Sequence, residues 1–434
     1  MMGCLNSGRS DCSMVALTQA TLLPGNVTAS GGFVTQGYVN SLADTILEAL
    51  PAREVTELIE KQSASLLEDQ QENNNLPLNS TPTTSSTTQT DDSLSPQFTA
   101  STQFAQLSPD NSSGTKPEGV TLTTTERLGT RAWANGFGGS VTPFRTGGLH
   151  DDYYDVTFDD VYNDFYSTHG GVVVGIDTSV SKDLQIGIFG NYGSINLQQF
   201  PGTYTAGGSW NPSGWGGGVM ASYWKPNFYL QGLFGATAFT GTNLRHVVIP
   251  QVFNTTYAAE KSTLSYVGAI RIGSPQQAGG LIWEPQVTAI WNHNQDDAYT
   301  ETQGSALRAF GLKVNEYNDH FVQTSLAMRL AWPIKHGSKG LWTPHIKVGW
   351  LADWDMNNAA VSYQRAYDRT RFDTVAYIPS NQQNEFGVVL EAGLDFALLQ
   401  TSTSAIKLYA KGGANVWANK PAEWLTSGGF TFQF

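Results

Sequence analysis

The chain has 434 residues and a formal net charge of −13, but only 14% of its residues are charged, against about 25% in ordinary globular proteins. Because Lys and Arg are few and scattered, the chain lacks the basic patches that nucleic-acid binding requires. It also lacks an apolar run near the ~18 residues of a transmembrane helix, which excludes an α-helical membrane protein. The 45 Gly, 12 Trp and 17 Tyr residues instead suit short strands and many turns.

The amino-terminal residues carry no recognisable export signal. The stretch from Met14 to Pro24 is weakly apolar and lacks a basic flank, and no apolar run precedes Cys4, which argues against a lipoprotein signal. Cys4 and Cys12 are the only cysteines, as suits folding in an oxidising compartment, although ordinary low cysteine usage explains this equally well. If the protein is exported, we expect its true amino end to lie upstream of residue 1.

Residues 41–70 have the clearest helical pattern in the chain. Ser41 is a candidate N-cap, with Asp44 three residues further on. Pro51 interrupts the pattern, which then continues. We interpret this segment as a small helical hairpin or a marginal amphipathic helix and not as a specific binding element. The apolar stripe consists of Leu42, Ile46, Leu47, Leu50, Val55, Leu58, Ile59, Leu66 and Leu67.

Residues 71–125 are rich in Ser, Thr, Pro, Asn and Gln. They contain too few apolar residues to offset the entropy lost on ordering, so we predict a disordered linker or a segment held extended inside another element.

The sequence pattern changes at Arg131. From there, apolar and polar residues alternate within segments of about ten residues, and turn-forming residues separate the segments. Alternation places successive side chains on opposite faces of a strand. We predict twelve strands, near 131–141, 169–180, 183–194, 213–225, 227–239, 261–273, 280–293, 319–333, 341–354, 384–397, 404–416 and 424–434.

The alternation fits either a membrane barrel or a soluble β-sandwich, in which apolar faces pack against each other. Two features favour the barrel. The predicted connections alternate between short and long, and aromatic residues such as Trp342 and Trp354 lie at strand ends, where a membrane interface would fall. The sequence therefore predicts an all-β fold, a transmembrane antiparallel β-barrel of about twelve strands with a partly helical, partly disordered N-terminal region. A sandwich would instead purify without detergent.

Four stretches resemble the β-domain of autotransporters. They are the first-strand sequence RAWANGFGG from Arg131, WEPQV from Trp283, WTPHIKVGW from Trp342 and the terminal GFTFQF from Gly429. The resemblance covers 131–434 and implies an outer-membrane translocator that anchors and exports an N-terminal passenger.

Several further expectations come with this resemblance. The barrel would sit as a monomer in the lipid of a Gram-negative outer membrane, with its long loops extracellular. Residues 1–130 would be a passenger remnant and linker, residues 131–434 the barrel. The resemblance implies no cofactor, and we expect no enzymatic activity. The barrel assembly machinery would recognise the aromatic carboxyl end, Phe430, Phe432 and Phe434.

The chain departs from the family immediately before the first strand. Autotransporters usually carry a helix there, whereas residues 121–130 are poor helix formers. About ten extended residues suffice to cross a ~30 Å bilayer. The Thr-rich segment could therefore span the lumen unaided, which puts a helical plug, and any cleavage inside the pore, in doubt; the sequence leaves open whether a helix plugs the lumen.

The candidate functional residues are the charged residues at the alternate strand positions that face the barrel interior. They could keep the pore wet and hold or pass a polar chain, or they could simply fill a narrow barrel; the sequence leaves both readings open. We expect Glu391 and Asp395 to pair with Lys407 and Lys411 across neighbouring strands. The predicted pore-lining set is Asp177, Arg271, Glu284, Arg329, Lys347, Asp353, Glu391, Asp395, Lys407 and Lys411.

Alternative functions have weaker support. The acidic stretch between His150 and His169 lacks the spacing of a calcium loop, so a solvated surface loop is favoured. The histidines show no zinc spacing, which leaves no metal site to propose, and no nucleophile motif is present. The main alternative to export is a barrel that serves as an anchor or a diffusion pore. Surface access to residues 71–100 would favour export, and protection would favour the alternative.

Overall fold

The structure is a computed structural model. It describes residues 25–50, 129–141, 146–151, 156–162, 165–199, 207–225, 227–249, 253–278, 280–302, 311–336, 340–355, 360–365, 373–376, 378–379, 384–400, 405–418 and 422–434. The second half of the predicted helix, the low-complexity segment and residues 121–128 lie outside this description.

Twelve antiparallel strands form one closed barrel, which confirms the predicted fold class. Each strand pairs with its neighbour in sequence. The strands are β1 (Thr130–Val141), β2 (Phe165–Ser181), β3 (Leu184–Gln199), β4 (Ser213–Lys225), β5 (Phe228–Ile249), β6 (Phe253–Gly273), β7 (Leu281–Asp296), β8 (Tyr317–Ala331), β9 (Gly340–Asp355), β10 (Asn384–Gln400), β11 (Ala405–Trp417) and β12 (Glu423–Gln433).

The barrel closes where β12 pairs with β1. Ser140 lies opposite Trp424, and the register continues to Arg131 opposite Gln433. Beyond it, the Thr130 amide donates to the Phe434 carbonyl at 3.2 Å and the Phe434 amide donates back at 3.0 Å. The aromatic carboxyl end is thus the seam that removes the last unpaired strand edge.

The two faces of the strands differ as the alternation predicts. On β9, Val348 is 49% exposed on the outer face, whereas its neighbour Lys347 points inward and is 8% exposed. Leu326 and Leu390 on neighbouring strands face outward in the same way. Because the apolar faces look outward and do not pack against each other, the β-sandwich alternative is wrong.

The connections divide the barrel into a short-turn rim and a long-loop rim. Both chain ends of the barrel and the turn at Lys182–Asp183 lie at the short-turn rim. At the long-loop rim, β5 and β6 extend as a hairpin into the predicted 240–260 connection. The short strands near this rim are Thr146–Asp151, Val156–Tyr162, Gly208–Trp210, Tyr299–Thr300, Leu312–Val314, Ala360–Arg365, Asp373–Ala376 and Ile378–Pro379, and those near the other are Gln276–Ala278 and Ile334–His336.

A helix, α1 (Gly25–Ala49), lies inside the barrel and contacts strands around its circumference. A helix therefore occupies the lumen, a point that the sequence left open. The predicted start of the helix is wrong: it begins at Gly25 and not near residue 41, so that Ser41 lies inside the helix and does not cap it. The glycines at 31, 32 and 37 hid this helix, because glycine is a poor helix former; burial in the barrel compensates for them. Among the described residues, no helix is long and apolar enough to span a membrane.

One side of the lumen is a dry apolar core. Tyr38, Leu42 and Ile46 of α1 are fully buried and pack in one cluster with residues such as Phe137 and Phe239 of the wall. Packed apolar side chains therefore fill the lumen on this side. The helix is held by hydrophobic burial on this face, which leaves its opposite face for polar contacts.

We expect Val348→Arg to destabilise the barrel in lipid vesicles by about 2–4 kcal/mol, because it places a charge midway along the outer apolar face. Urea unfolding of the reconstituted protein measures this. Val348→Leu is the matched control and should leave stability nearly unchanged. Equal stability of the arginine and leucine variants would contradict an outer face that meets hydrocarbon.

Candidate functional site

The structure places all ten predicted pore-lining residues on the inner wall. Most are buried, while the Lys407 side chain, at the short-turn rim, is 38% exposed. The two predicted cross-strand pairs are present: Lys411 Nζ lies 3.2 Å from Glu391 Oε2, and Lys407 Nζ lies 3.3 Å from Asp395 Oδ1. Several of the ten residues also contact Asp44 and Glu48 of α1, which the sequence did not identify as functional residues.

Asp44 of α1 lies between cations from three different strands. Its Oδ1 is 2.6 Å from Arg271 Nη2 of β6 and 3.8 Å from Lys347 Nζ of β9. Its Oδ2 is 2.5 Å from Lys411 Nζ of β11. Glu48, one turn further along the helix, is 3.5 Å from both Arg271 Nη1 and Lys411 Nζ. The two helix carboxylates thus connect opposite parts of the wall.

Glu391 completes this group, with its Oε2 2.9 Å from Lys347 Nζ. We call Asp44, Glu48, Arg271, Lys347, Glu391 and Lys411 the central cluster. It holds three cations and three carboxylates, and two of those carboxylates belong to the helix. Without α1, the wall of this cluster would keep an uncompensated charge of two positive units in a largely buried setting, which is costly.

A second group lies beside the first and balances its own charge. Arg329 Nη1 is 3.3 Å from Glu284 Oε2, and Arg329 Nη2 is 3.1 Å from Asp395 Oδ2. We call Glu284, Arg329, Asp395 and Lys407 the rim cluster. Tyr229 also donates a hydrogen bond to Glu284. Because its two cations meet two carboxylates of the wall, this cluster does not need the helix for neutrality.

The register brings the two clusters together. Glu284, Arg329, Lys347 and Glu391 lie directly opposite one another on four consecutive strands, in the order acid, base, base, acid. Like charges that face each other across a ladder repel. Arg329 and Lys347 therefore each depend on neighbouring carboxylates, and Lys347 shares Glu391 with Lys411.

The polar residues of α1 form a stripe with a spacing of four. Gln36 Nε2 donates to Asp353 Oδ1 at 2.6 Å, and Asn40, Asp44 and Glu48 continue the line. Residues four apart lie on one helix face. This stripe faces the charged strands, while the opposite face packs in the apolar core.

Tyr38 is anchored in a socket on the apolar side. Its ring packs edge-on against Phe137 and Phe239, with centroids 5.1 and 5.0 Å away, and its hydroxyl accepts a hydrogen bond of 3.1 Å from Asn191 Nδ2. A Cβ at Gly193 would lie 2.4 Å from the tyrosine ring. The glycine thus makes room for an aromatic side chain of the helix.

The amino-terminal half of α1 passes a constriction. Added Cβ atoms would lie 2.5 Å from Lys261 Nζ at Gly31, 2.2 Å from Asp319 Oδ2 at Gly32 and 2.1 Å from Val141 Cγ2 at Gly37. At Gly37 the neighbour is the stiff side chain of Val141, so the helix can lie this close to the wall because the position lacks a side chain, whereas at Gly31 and Gly32 the neighbouring atoms are the ends of Lys261 and Asp319.

Lys261 is fixed beside this constriction. Its Nζ lies 3.0 Å from Asp296 Oδ1, donates to Tyr317 Oη at 2.9 Å and sits 4.3 Å from the centroid of Trp210. Because a carboxylate and an aromatic face hold its ammonium group in place, the Lys261 side chain cannot move easily to make room for a larger residue at Gly31.

The two ends of α1 fix its direction. At the short-turn rim, Arg131 Nη2 donates to the Ala49 carbonyl at 3.2 Å and Gln231 Nε2 donates to the Leu50 carbonyl at 3.3 Å. Toward the long-loop rim, Asn294 Nδ2 donates to the Gly32 carbonyl at 3.2 Å. The amino end of the helix therefore points to the long-loop rim.

Sequence reasoning missed Asp44 and Glu48 as lumen residues and the glycines as contact positions. Asp44 was read only as part of a helix cap. The signal that could have found them is the repeat of Gln36, Asn40, Asp44 and Glu48 every four residues, opposite an apolar face.

A closed barrel with an apolar exterior, a charged inner wall and a helix of its own chain in the lumen defines a transmembrane barrel that accommodates a polypeptide. The chain belongs to the autotransporter β-domain family, whose model matches residues 132–406. It is accordingly a barrel of a Gram-negative outer membrane that exports an N-terminal passenger. This assignment favours export over the alternative of a non-export anchor or diffusion pore.

Solved structures of similar fold include three translocator barrels. The β-domain of the Bordetella autotransporter BrkA shares 14% identity, with a TM-score of 0.45, over 70% of this chain and 100% of that one. The translocator domain of NalP from Neisseria meningitidis shares 14% identity, with a TM-score of 0.46, over 71% and 89%. The transport unit of AIDA-I from Escherichia coli shares 12%, with a TM-score of 0.41, over 71% and 91%. No curated protein matches the chain.

We expect Gly37→Ala to have opposite effects in isolation and in the barrel. In a free peptide of residues 25–50 it should raise helix content, because alanine favours a helix by about 1 kcal/mol over glycine. In the whole protein it should loosen α1 at a cost of about 1–3 kcal/mol, since the added methyl meets the stiff side chain of Val141. Hydrogen exchange of the α1 amides measures this.

Gly280→Ala is the matched control, because a Cβ there has no atom within 4 Å. Its α1 amides should exchange as in the unmodified protein. Increased protection of α1 in Gly37→Ala would contradict the close approach at this position.

Proposed function

We propose that α1 is the part of the exported chain that remains in the lumen once export is complete. The observation that carries this proposal is the fit between helix and wall: acids against cations, Tyr38 in its socket and glycines at the constriction. A helix that only rested in a wide pore would not need contacts on all of its faces.

The direction of α1 supports an export route. In the proposed arrangement the long loops are extracellular, and the amino end of α1 points to that rim. Leu50 and Gly129, in contrast, both lie at the short-turn rim, which faces the periplasm. The chain between them therefore starts and ends on the periplasmic side. We therefore propose the residues before Gly25, in place of residues 71–100, as the segment whose surface access tests export.

We expect an epitope tag inserted between Ser10 and Asp11 to be bound by antibody on intact cells. The same tag between Ser85 and Ser86 should bind only after the outer membrane is permeabilised, because Leu50 and Gly129, which flank that segment, both lie at the short-turn rim. Flow cytometry of both strains measures this. The reverse pattern would overturn the proposed direction of the chain.

We also propose that the barrel assembly machinery recognises Phe430, Phe432 and Phe434. All three side chains point outward, with exposed fractions of 49%, 39% and 56%, on the strand that closes the barrel. An apolar row at the seam is accessible before closure, when the edge of β12 is still unpaired, and it later meets lipid.

Phe434→Ala should reduce the amount of barrel in the outer membrane several-fold, because it shortens this aromatic row. Quantitative blotting of outer-membrane fractions, with folded protein identified by its heat-sensitive mobility, measures the loss. Gln433→Ala, on the inner face of the same strand, is the control and should insert normally. Equal insertion of the two variants would count against the aromatic signal.

The remaining features of the proposal concern the protein as a whole. The barrel acts as a monomer in the lipid of the outer membrane, since its closed sheet offers no strand edge to a second copy. It works by holding and passing a chain and not as an enzyme; the carboxylates and cations of its lumen engage one another in ion pairs. The division into a passenger remnant with linker, residues 1–130, and a barrel, residues 131–434, remains a prediction.

A further inference from the structure

We propose that the central cluster is a receptor for a pair of carboxylates spaced four residues apart on a helix, and that this pair stops the exported chain at a fixed register. The inference deepens the proposed function of α1 and rests on it. Asp44 and Glu48 would halt the exported chain by binding Arg271, Lys347 and Lys411 of the wall.

Charge balance is the first argument. Arg271, Lys347 and Lys411 have only Glu391 as a carboxylate of the wall within the central cluster. A passing segment without acids leaves these cations undercompensated. Two carboxylates on one segment, together with Glu391, neutralise the three cations. A buried charge is most favourable when it is paired.

Geometry is the second argument. Arg271 Nη2 and Nη1 contact Asp44 and Glu48 at 2.6 and 3.5 Å, and Lys411 Nζ also contacts both, at 2.5 and 3.5 Å. Two cations from opposite sides thus each bridge both carboxylates. This arrangement requires the acids to project from successive turns of one helix face, as residues four apart do. An extended chain separates such residues by about 13 Å and could not satisfy both bridges.

Access is the third argument. The side chains of Asp44 and Glu48 are 24% and 13% exposed, whereas those of Arg271 and Lys411 are 4% exposed. The acids are therefore the less buried members of these ion pairs, and the cations lie deeper in the wall. The cations form the preorganised part of the site, and the segment supplies its ligand.

The partner that fits this site is therefore an acidic, helical stretch of polypeptide with its carboxylates at positions i and i+4. Residues 25–50 supply it in this chain. The apolar face of α1 sets how the helix packs, whereas the acidic pair selects the point along the chain at which it halts.

The test measures the register of α1 on intact cells. A background with Cys4→Ser and Cys12→Ser carries the pair Ser41→Cys and His169→Cys, at positions whose side chains lie 2.7 Å apart. A short bismaleimide should link them in nearly all folded barrels. Adding Asp44→Asn and Glu48→Gln, which remove charge at constant shape, should lower this yield about tenfold in the folded fraction, because breaking buried ion pairs is strongly unfavourable.

A transposed variant is the matched control for composition. It exchanges neighbours, as Asp44→Thr with Thr45→Asp and Glu48→Ala with Ala49→Glu. Net charge and spacing are unchanged, but the acid pair turns about 100° away from the cations. Its cross-linking yield should fall as well. The variant with Asp44→Glu and Glu48→Asp keeps both charges on the correct face and should retain most of the yield.

Current through reconstituted channels provides a second readout. The neutral variant should conduct more than the unmodified protein and should prefer anions, because Arg271, Lys347 and Lys411 then outnumber Glu391. The proposal fails if the neutral or the transposed variant cross-links and conducts like the unmodified protein. If the unmodified helix itself does not cross-link, the placement of α1 is wrong and the proposed function fails with it.

Discussion

The structure depends on one electrostatic constraint: the inner wall carries more positive charge at the central cluster than its own carboxylates can neutralise. Arg271, Lys347 and Lys411 are nearly buried, and a buried cation needs a partner. Within the described part of the wall, Glu391 is the carboxylate of this cluster, so three cations share one acid, whereas the two cations of the rim cluster have Glu284 and Asp395. The wall is therefore complete only with a segment of acidic helix inside it, and lumen and helix form one unit.

Hydrophobic burial and electrostatics act on different faces of this helix. Leu42 and Ile46 are buried against the wall, which gives affinity without fixing a unique position along the helix axis. Tyr38 in its socket, the glycines and the acidic pair fix the position, because displacing the helix by one turn would move the tyrosine from Asn191, bring side chains against the wall and take the carboxylates away from their cations.

The barrel could be predicted from sequence because alternation with a period of two is written along every strand, as at Lys347 and Val348. The ends of β5 and β6 could not, since their extension beyond the predicted limits depends on pairing with each other. The helix was placed too late because Gly31, Gly32 and Gly37 argue against a helix locally. Their reason lies in the wall, at Lys261, Asp319 and Val141, far away in sequence. The contacts of Asp44 could not be predicted either. The alternation along a strand predicts whether a cation faces the lumen, but not which segment of the chain occupies the lumen.

The position of Leu50 and Gly129 at one rim has a mechanical consequence. The end of the helix and the start of the first strand therefore need not be bridged across the length of the pore. The free energy needed to close a flexible connection between two such points rises only by about 0.6 kcal/mol for each doubling of its length. The contacts between the helix and the wall, and not the length of the connection to the first strand, therefore retain the helix in the lumen.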